Sequence, residues 1–222
     1  MLKNISYKKG MQWKRGKRKG GGNQSYLFGG VFYFFVVCYK KKEGYGMFRA
    51  EYCSPLGRLT LVSDGKALWG LWIKGQKYFG ASLSVADFPL KDCGVFQEAF
   101  LWLNAYFSGK KPGCAHLPLH LSGTAFQQAV WRILCEIPYG QTRTYGAIAK
   151  ALVESSLYKR MSPQAVGAAI GRNPIGIIIP CHRVIGLGGN VTGYAAGVEK
   201  KLFLLRHEGV DCSSLFLPKR ID

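Results

Sequence analysis

The sequence predicts an α+β protein in two parts: a small antiparallel β-sheet with one helix, then a mainly helical domain built around a helix-turn-helix of winged-helix-like type. Three observations carry this prediction. From Met47 the chain alternates apolar and polar residues between turn signals, the pattern of a half-buried sheet. From Val95 to Gly109 the apolar residues recur at helical spacing. After Thr124 three short helical patterns follow one another across brief breaks.

In order along the chain, "FRAEYCSPLGRLTLVSDGKALWGLWI" places turns at Ser54-Pro55-Leu56-Gly57 and at Asp64-Gly65, which makes three strands. "VFQEAFLWLNAYFSG" reads as a helix that stops at Gly109. "KKPGCAHLPLHL" reads as an exposed connection. His116 and His120 are four apart there, but Pro118 lies between them, so a metal pair on one helix face is not expected. Thr124 and Gln127 fit a capping box, and "AFQQAVWRILCEI" then carries Phe126, Val130, Ile133 and Leu134 along one stripe. "PYGQT" breaks that helix. "TYGAIAKAL" begins a second, and "SPQAVGAAIGRNP" a third, with Ser162 as cap and Pro163 at the first helical position. Two short helices joined by a turn suggest a helix-turn-helix. The third helix is nearly bare: Ala165, Val166, Gly167, Ala168, Ala169, Ile170 and Gly171 offer little to read bases with. It suits either close, shape-based contact with a narrow groove or tight packing inside the protein.

Composition narrows the class. The 222 residues are 48% hydrophobic, enough for a real core. Net charge is +19, of which residues 1–46 carry +10, with Glu43 their one acid. A basic excess of this kind points to a polyanion, most simply nucleic acid. The seven cysteines, at 38, 53, 93, 114, 135, 181 and 212, form no CxxC pair, so neither a disulfide framework nor a zinc finger is indicated. Free thiols in a reducing cytoplasm are the simplest account. Within residues 1–46 the first part is basic and Gly-rich, with no helical or strand period. "YLFGGVFYFFVVCY" is apolar but too short to span a bilayer comfortably. It resembles a signal peptide without a small-residue cleavage site. The expectation is an extension outside the fold, with a membrane anchor as the competing reading.

"IIIPCHRVIG" raises the chemical question. A cysteine at the end of a buried strand is usually a small core residue, but a following His-Arg makes a reactive thiolate possible. Together with "FQQAVWRILCEIPYGQTRTYGAIA", "AVGAAIGRNP" and "GYAAGVEKKLFLLRHEG", this segment closely resembles the 6-O-alkylguanine-DNA alkyltransferases, the methylated-DNA–protein-cysteine methyltransferases. The resemblance is strong over Phe126 to Val210 and weaker over "SPLGRLTLVSDGKALWGL". It implies a ribonuclease-H-like α/β domain at 47–121 and a helix-turn-helix alkyltransferase domain at 122–212; residues 1–46 match nothing in the family and are expected as an extension, and 213–222 as a tail.

The resemblance also implies roles. The family moves an alkyl group from 6-O-alkylguanine, and 4-O-alkylthymine is expected as well, to a protein thiol matched here by Cys181. His182 matches the partner base, reached in the family through a water, and Glu208 the carboxylate that orients it. Neighbouring side chains of an extended segment point apart, so without a water the chain must turn sharply at Pro180-Cys181-His182. Tyr145 matches the donor to the departing guanine. Asn173 matches the brace of the active-site turn, and Arg183 is expected to be structural. The bare helix, with Gln164, Ala165, Val166, Gly167, Ala168 and Arg172, is implied to lie against the minor groove of double-stranded DNA while the base is flipped out. Tyr194, Ala195, Ala196 and Gly197 match the alkyl pocket.

Some positions depart from the family pattern. Gln164 stands where the family inserts an arginine, and Ala195-Ala196 where some members have Ser and Gly. "VESSLYKRM" is longer than in the human-type pattern and is expected as a surface loop. Asp64 and Trp69 stand where animal members have zinc ligands, so no metal or other cofactor is expected. A thioether at Cys181 has no hydrolytic exit, so each molecule, a monomer acting in the cytoplasm, should act once. Three rivals fare worse. A non-catalytic protein that flags alkylated DNA would carry another residue, often Trp, at the acceptor position. A transcriptional regulator would carry base-reading side chains on the third helix. A cysteine hydrolase would need a clear oxyanion hole.

Overall fold

The computed structural model describes residues 46–216 apart from 82, 115, 116 and 157, together with the backbone of three strands nearer the N-terminus. Those three, β1 (Lys14–Arg15), β2 (Gln24–Phe28) and β3 (Val31–Phe35), form an antiparallel sheet of their own. The basic segment therefore does hold strands where no strand period is legible. β3 is an unbroken run of Val, Phe and Tyr, residues of high strand propensity that need no alternation to pair.

The main sheet is β4 (Phe48–Ser54), β5 (Gly57–Ser63) and β6 (Leu68–Ile73), antiparallel in that order. Both turns fall where the sequence signals them. The Asp64 carboxylate accepts from the backbone N–H groups of Lys66 at 2.8 Å and Ala67 at 2.9 Å, which closes the second turn. α1 (Gly94–Phe107) packs Phe96, Leu103 and Tyr106 against this sheet. The connection after α1 is less free than expected. Leu68 N–H donates to Pro118 O at 2.7 Å and His120 N–H to Leu68 O at 2.8 Å, so the connection runs along β6 as an added edge. His120 stacks on Trp69 there, with ring centroids 3.6 Å apart. His116 lies outside the described residues.

The second half holds α2 (Ala125–Cys135), α3 (Tyr145–Glu154), α4 (Pro163–Gly171) and α5 (Val198–His207). The capping box forms as the sequence predicts: Thr124 Oγ1 accepts from Gln127 N–H at 3.2 Å, and Gln127 Oε1 from Thr124 N–H at 2.9 Å. Thr144 and Ser162 cap α3 and α4 by a single bond each, accepting from Ala147 N–H and Ala165 N–H at 3.1 Å. α3 runs on through Val153 and Glu154, so the surface loop begins at 155 rather than with "VES". A two-stranded parallel pair, β7 (Arg143–Thr144) and β8 (Val184–Ile185), fixes the start of α3 beside the chain that leaves "PCHR". The tail is docked in part: Val191 N–H donates to Phe216 O at 2.9 Å.

The two halves share one hydrophobic core, which runs from Leu59 and Leu71 of the sheet to Val166, Ile179 and Leu204. On α2 the buried residues are Ala129, Val130, Trp131 and Leu134, while Phe126 and Ile133 lie at the edge of the core. Trp131 is 1% exposed, and its indole N–H donates to the Ala169 carbonyl of α4 at 2.9 Å. It ties the first helix of the domain to the third. Trp131→Ala should therefore cost roughly 3–5 kcal/mol. Leu101→Ala, at a position 68% exposed, should change stability by less than about 0.5 kcal/mol. Urea unfolding of the two variants checks this.

Candidate active site

The segment before the cysteine is not a strand. Residues 174–180 are a run of buried turns, with Ile178 N–H donating to Gly176 O at 2.8 Å and Ile179 N–H to Ile175 O at 3.0 Å. Ile177 sits at φ 69°, a left-handed conformation that a β-branched side chain adopts only when its surroundings impose it. Asn173 supplies much of that constraint. Its amide nitrogen donates to Ile179 O at 2.8 Å, and its carbonyl oxygen accepts from Ile175 N–H at 3.1 Å. The sheet supplies the rest: Leu71 N–H donates to Pro174 O and Gly176 N–H to Leu71 O, both at 2.9 Å.

Cys181, His182 and Arg183 then form a single 3-10 turn, so the chain does turn sharply at this point. All three are buried, His182 completely. His182 Nε2 lies 2.7 Å from Glu208 Oε1. Glu208, just past the end of α5, also accepts from Arg183 Nε at 2.8 Å and Nη2 at 3.0 Å, from the Tyr106 hydroxyl at 2.8 Å and from Gly140 N–H at 3.2 Å. Burial alone would raise its pKa. The bonds from His182 and Arg183 outweigh burial and hold the carboxyl well below the usual carboxylate range. Because Glu208 is ionised, it takes a proton-bearing Nε2–H. His182 Nδ1 is buried and has no hydrogen-bond partner among the described residues. Burial pushes the histidine pKa down, against the pull of Glu208, so the ring is neutral and Nδ1 keeps its lone pair.

The Cys181 thiol is pushed up by burial. The Asn173 side chain, the Lys201 charge and nearby backbone N–H groups act in the opposite direction. Lys201 was not singled out by the sequence reading. It is fully buried, its ammonium donates to Thr192 O at 2.9 Å, and burial lowers its pKa to about 8, partly offset by Cys181. A signal for it does exist. Lys201, Leu204, Leu205 and Glu208 fall at i, i+3, i+4 and i+7, so a lysine occupies the buried stripe of α5. Tyr106 and Gly140 were missed as well, and only tertiary folding brings them to Glu208.

Tyr145 opens α3 with its hydroxyl donating to Thr192 O at 3.2 Å. Burial and the nearby Cys181 push its pKa up to about 12, so it remains a donor at neutral pH. Tyr194, Ala195 and Ala196 line one cleft with Cys181 and Asn173. Gly197 stands outside that cleft as the N-cap of α5, at φ 96°.

On α4, Gln164 and Ala168 are exposed, and Ala165 and Gly167 are half-buried. Val166 corrects the expectation of a groove contact. It is fully buried with Ala169 and Ile170, because helical periodicity turns 166 onto the core face while 164 and 168 face outward. The bare helix thus has both characters, packed on one side and open on the other. Arg172 is exposed past the end of α4, and its guanidinium lies 4.7 Å from the centre of the Tyr78 ring.

Comparison with known proteins places this geometry. Residues 47–121 match the family model described as "6-O-methylguanine DNA methyltransferase, ribonuclease-like domain". Residues 125–210 match "6-O-methylguanine DNA methyltransferase, DNA binding domain". The methylated-DNA–protein-cysteine methyltransferase of Methanosarcina acetivorans is 43% identical over 164 residues, covering 73% of this chain and 99% of that protein. That of Mycobacterium leprae is 42% identical over 166 residues, covering 73% and 94%. A crystal structure of Mycobacterium tuberculosis OGT in complex with DNA superimposes with a TM-score of 0.61 at 41% identity, covering 74% of this chain and 92% of that one. The chain belongs to the 6-O-methylguanine-DNA methyltransferase family.

Proposed function

We propose that Cys181 accepts the alkyl group of 6-O-alkylguanine in DNA and that each molecule reacts once. The activity is direct DNA repair by alkyl transfer, as in relatives named methylated-DNA–protein-cysteine methyltransferase. The observation that carries the assignment of Cys181 is the buried Nδ1 of His182, without a hydrogen-bond partner among the described residues, in the same 3-10 turn as the thiol.

In this mechanism the Cys181 proton passes to His182, whose other nitrogen is held by Glu208. The resulting thiolate attacks the saturated alkyl carbon. A sulfur–carbon bond forms as the carbon–oxygen bond breaks, and the electron pair leaves on guanine. The Tyr145 hydroxyl turns from Thr192 O to donate to the departing base, and the proton taken from Cys181 ends on guanine. The net change is thiol plus alkylguanine to thioether plus guanine. Nothing in that balance regenerates the thiol. Lys201 and the Asn173 amide favour the thiolate against the cost of burying it.

Double-stranded DNA is the partner. We place the exposed face of α4, Gln164 and Ala168 with the edges of Ala165 and Gly167, against its minor groove, with the reactive base flipped out of the stack. The protein acts as a monomer in the cytoplasm, at the nucleoid if the cell is bacterial. No helix among the described residues is long and apolar enough to cross a membrane.

Intact-protein mass spectrometry after mixing with a duplex bearing one 6-O-methylguanine tests the assignment. One added methyl group, mapped to Cys181, saturating at one per molecule and absent from Cys181→Ala, is the expected result. Methyl on another residue refutes it. Gln164→Arg should tighten DNA binding and steepen its salt dependence by about one counterion. An unchanged salt slope would show that residue 164 faces away from DNA.

A further inference from the structure

The loop that follows β6 belongs to the N-terminal half, yet it reaches the cleft that holds Cys181. Gln76 lines that cleft together with Cys181, Tyr194 and Ala195. Its side chain is held in place from below. Gln76 Oε1 accepts from Ile73 N–H at 2.8 Å, while its own backbone N–H donates to Ile73 O at 3.1 Å. With the oxygen committed to the backbone, the amide nitrogen has no hydrogen bond among the described residues.

Three residues fasten this loop and its strand to the reactive centre. The next residue, Lys77, donates its backbone N–H to Ala195 O at 2.9 Å, which joins the loop to the alkyl-pocket segment. Tyr78 carries the Arg172 guanidinium over its ring at 4.7 Å, beside Asn173. Leu71, further back on β6, makes the two bonds to Pro174 and Gly176 at the start of the active-site turns. The loop also holds unusual backbone shapes: Tyr78 at φ 57° and Ala81 at φ 52° are both left-handed without being glycine.

We propose that the 74–79 loop is a wall of the alkyl pocket and that Gln76 sets the size of the alkyl group admitted. This rests on the reading that Cys181 is the acceptor. Gly171, Gly176, Gly193 and Ala195 supply much of the remaining lining and project little into the cleft. Free width therefore depends on the few long side chains, and Gln76 is the one contributed by the N-terminal half. A wall fixed to the segments on both sides of Cys181 cannot retreat from a bulky group without dragging the reactive turn with it.

The test is a competition between duplexes carrying 6-O-methylguanine and 6-O-benzylguanine, with both adducts on Cys181 counted by mass. Gln76→Ala should raise the benzyl-to-methyl ratio roughly tenfold, the scale of discrimination that one or two methylenes give in a pocket. Gln76→Glu, which keeps the length and the acceptor for Ile73 N–H, should keep the wild-type ratio. If Gln76→Ala does not fold, Tyr78→Ala decides instead: Tyr78 is 51% exposed, and losing its Arg172 contact should loosen the wall and raise the same ratio. A ratio that stays within about twofold of wild type, including one in which both rates fall together, overturns the proposal. Failure of the underlying reading looks different, since adducts would then appear away from Cys181 in the unsubstituted protein.

Discussion

Glu208 is a charged carboxylate buried where α1, the turn after α2, the Cys181–Arg183 turn and the end of α5 meet. It takes a hydroxyl from α1, a backbone N–H from the turn after α2, and the histidine and arginine of the reactive turn, while its own chain position closes α5. A buried charge is tolerated only when its lone pairs are filled, and removing one partner of such a group typically costs about 3–5 kcal/mol. The constraint works in both directions. The carboxylate needs those donors, and the donors are thereby fixed in relation to one another. His182 receives its orientation and its tautomer from this arrangement. Arg183 has its Nη1 on Ile137 O at 2.6 Å and its other nitrogens on Glu208, so it is a structural clamp beside the reacting groups.

The second constraint is backbone shape. Asn173 and Leu71 hold a set of buried turns, including a left-handed Ile177, that leads into the 3-10 turn of Cys181. The consequence is a thiol that is buried yet opens on a cleft, with opposing influences on its proton. Burial favours the thiol, and Lys201 and Asn173 favour the thiolate. Lys201 stays charged at neutral pH, because burial lowers its pKa only to about 8 and the nearby Cys181 acts in the opposite direction. The N-terminal half is part of this machinery through Tyr106 on Glu208, Leu71 on the turns and Lys77 on the pocket segment.

Much of this was legible in the sequence, for identifiable reasons. Caps, turns and periodicity are local, so Thr124 with Gln127, Ser162 with Pro163 and the turns at Gly57 and Gly65 could be read directly. The family motifs brought Cys181, His182 and Glu208 to attention, and the folded chain does put the histidine on the carboxylate. Three readings failed because they depend on the third dimension. Val166 looked like part of an open surface because a small-residue run carries little facing signal. "IIIP" looked like a strand because a buried apolar run has no period, and the Asn173 brace that curls it is visible only once folded. The basic, Gly-rich stretch shows no strand period, yet β1 and the start of β2 lie within it.

The central claim is that an ionised, buried Glu208 fixes His182 with its proton on Nε2 and leaves Nδ1 free to accept the proton of Cys181. Nitrogen-15 NMR of the His182 ring during a pH titration tests this most directly. The account predicts a neutral ring protonated on Nε2 at neutral pH. It also predicts that the ring stays neutral as the pH falls through the ordinary histidine value of 6.5, because burial depresses its pKa. A proton found on Nδ1, or a ring that charges at or above that pH, would contradict it.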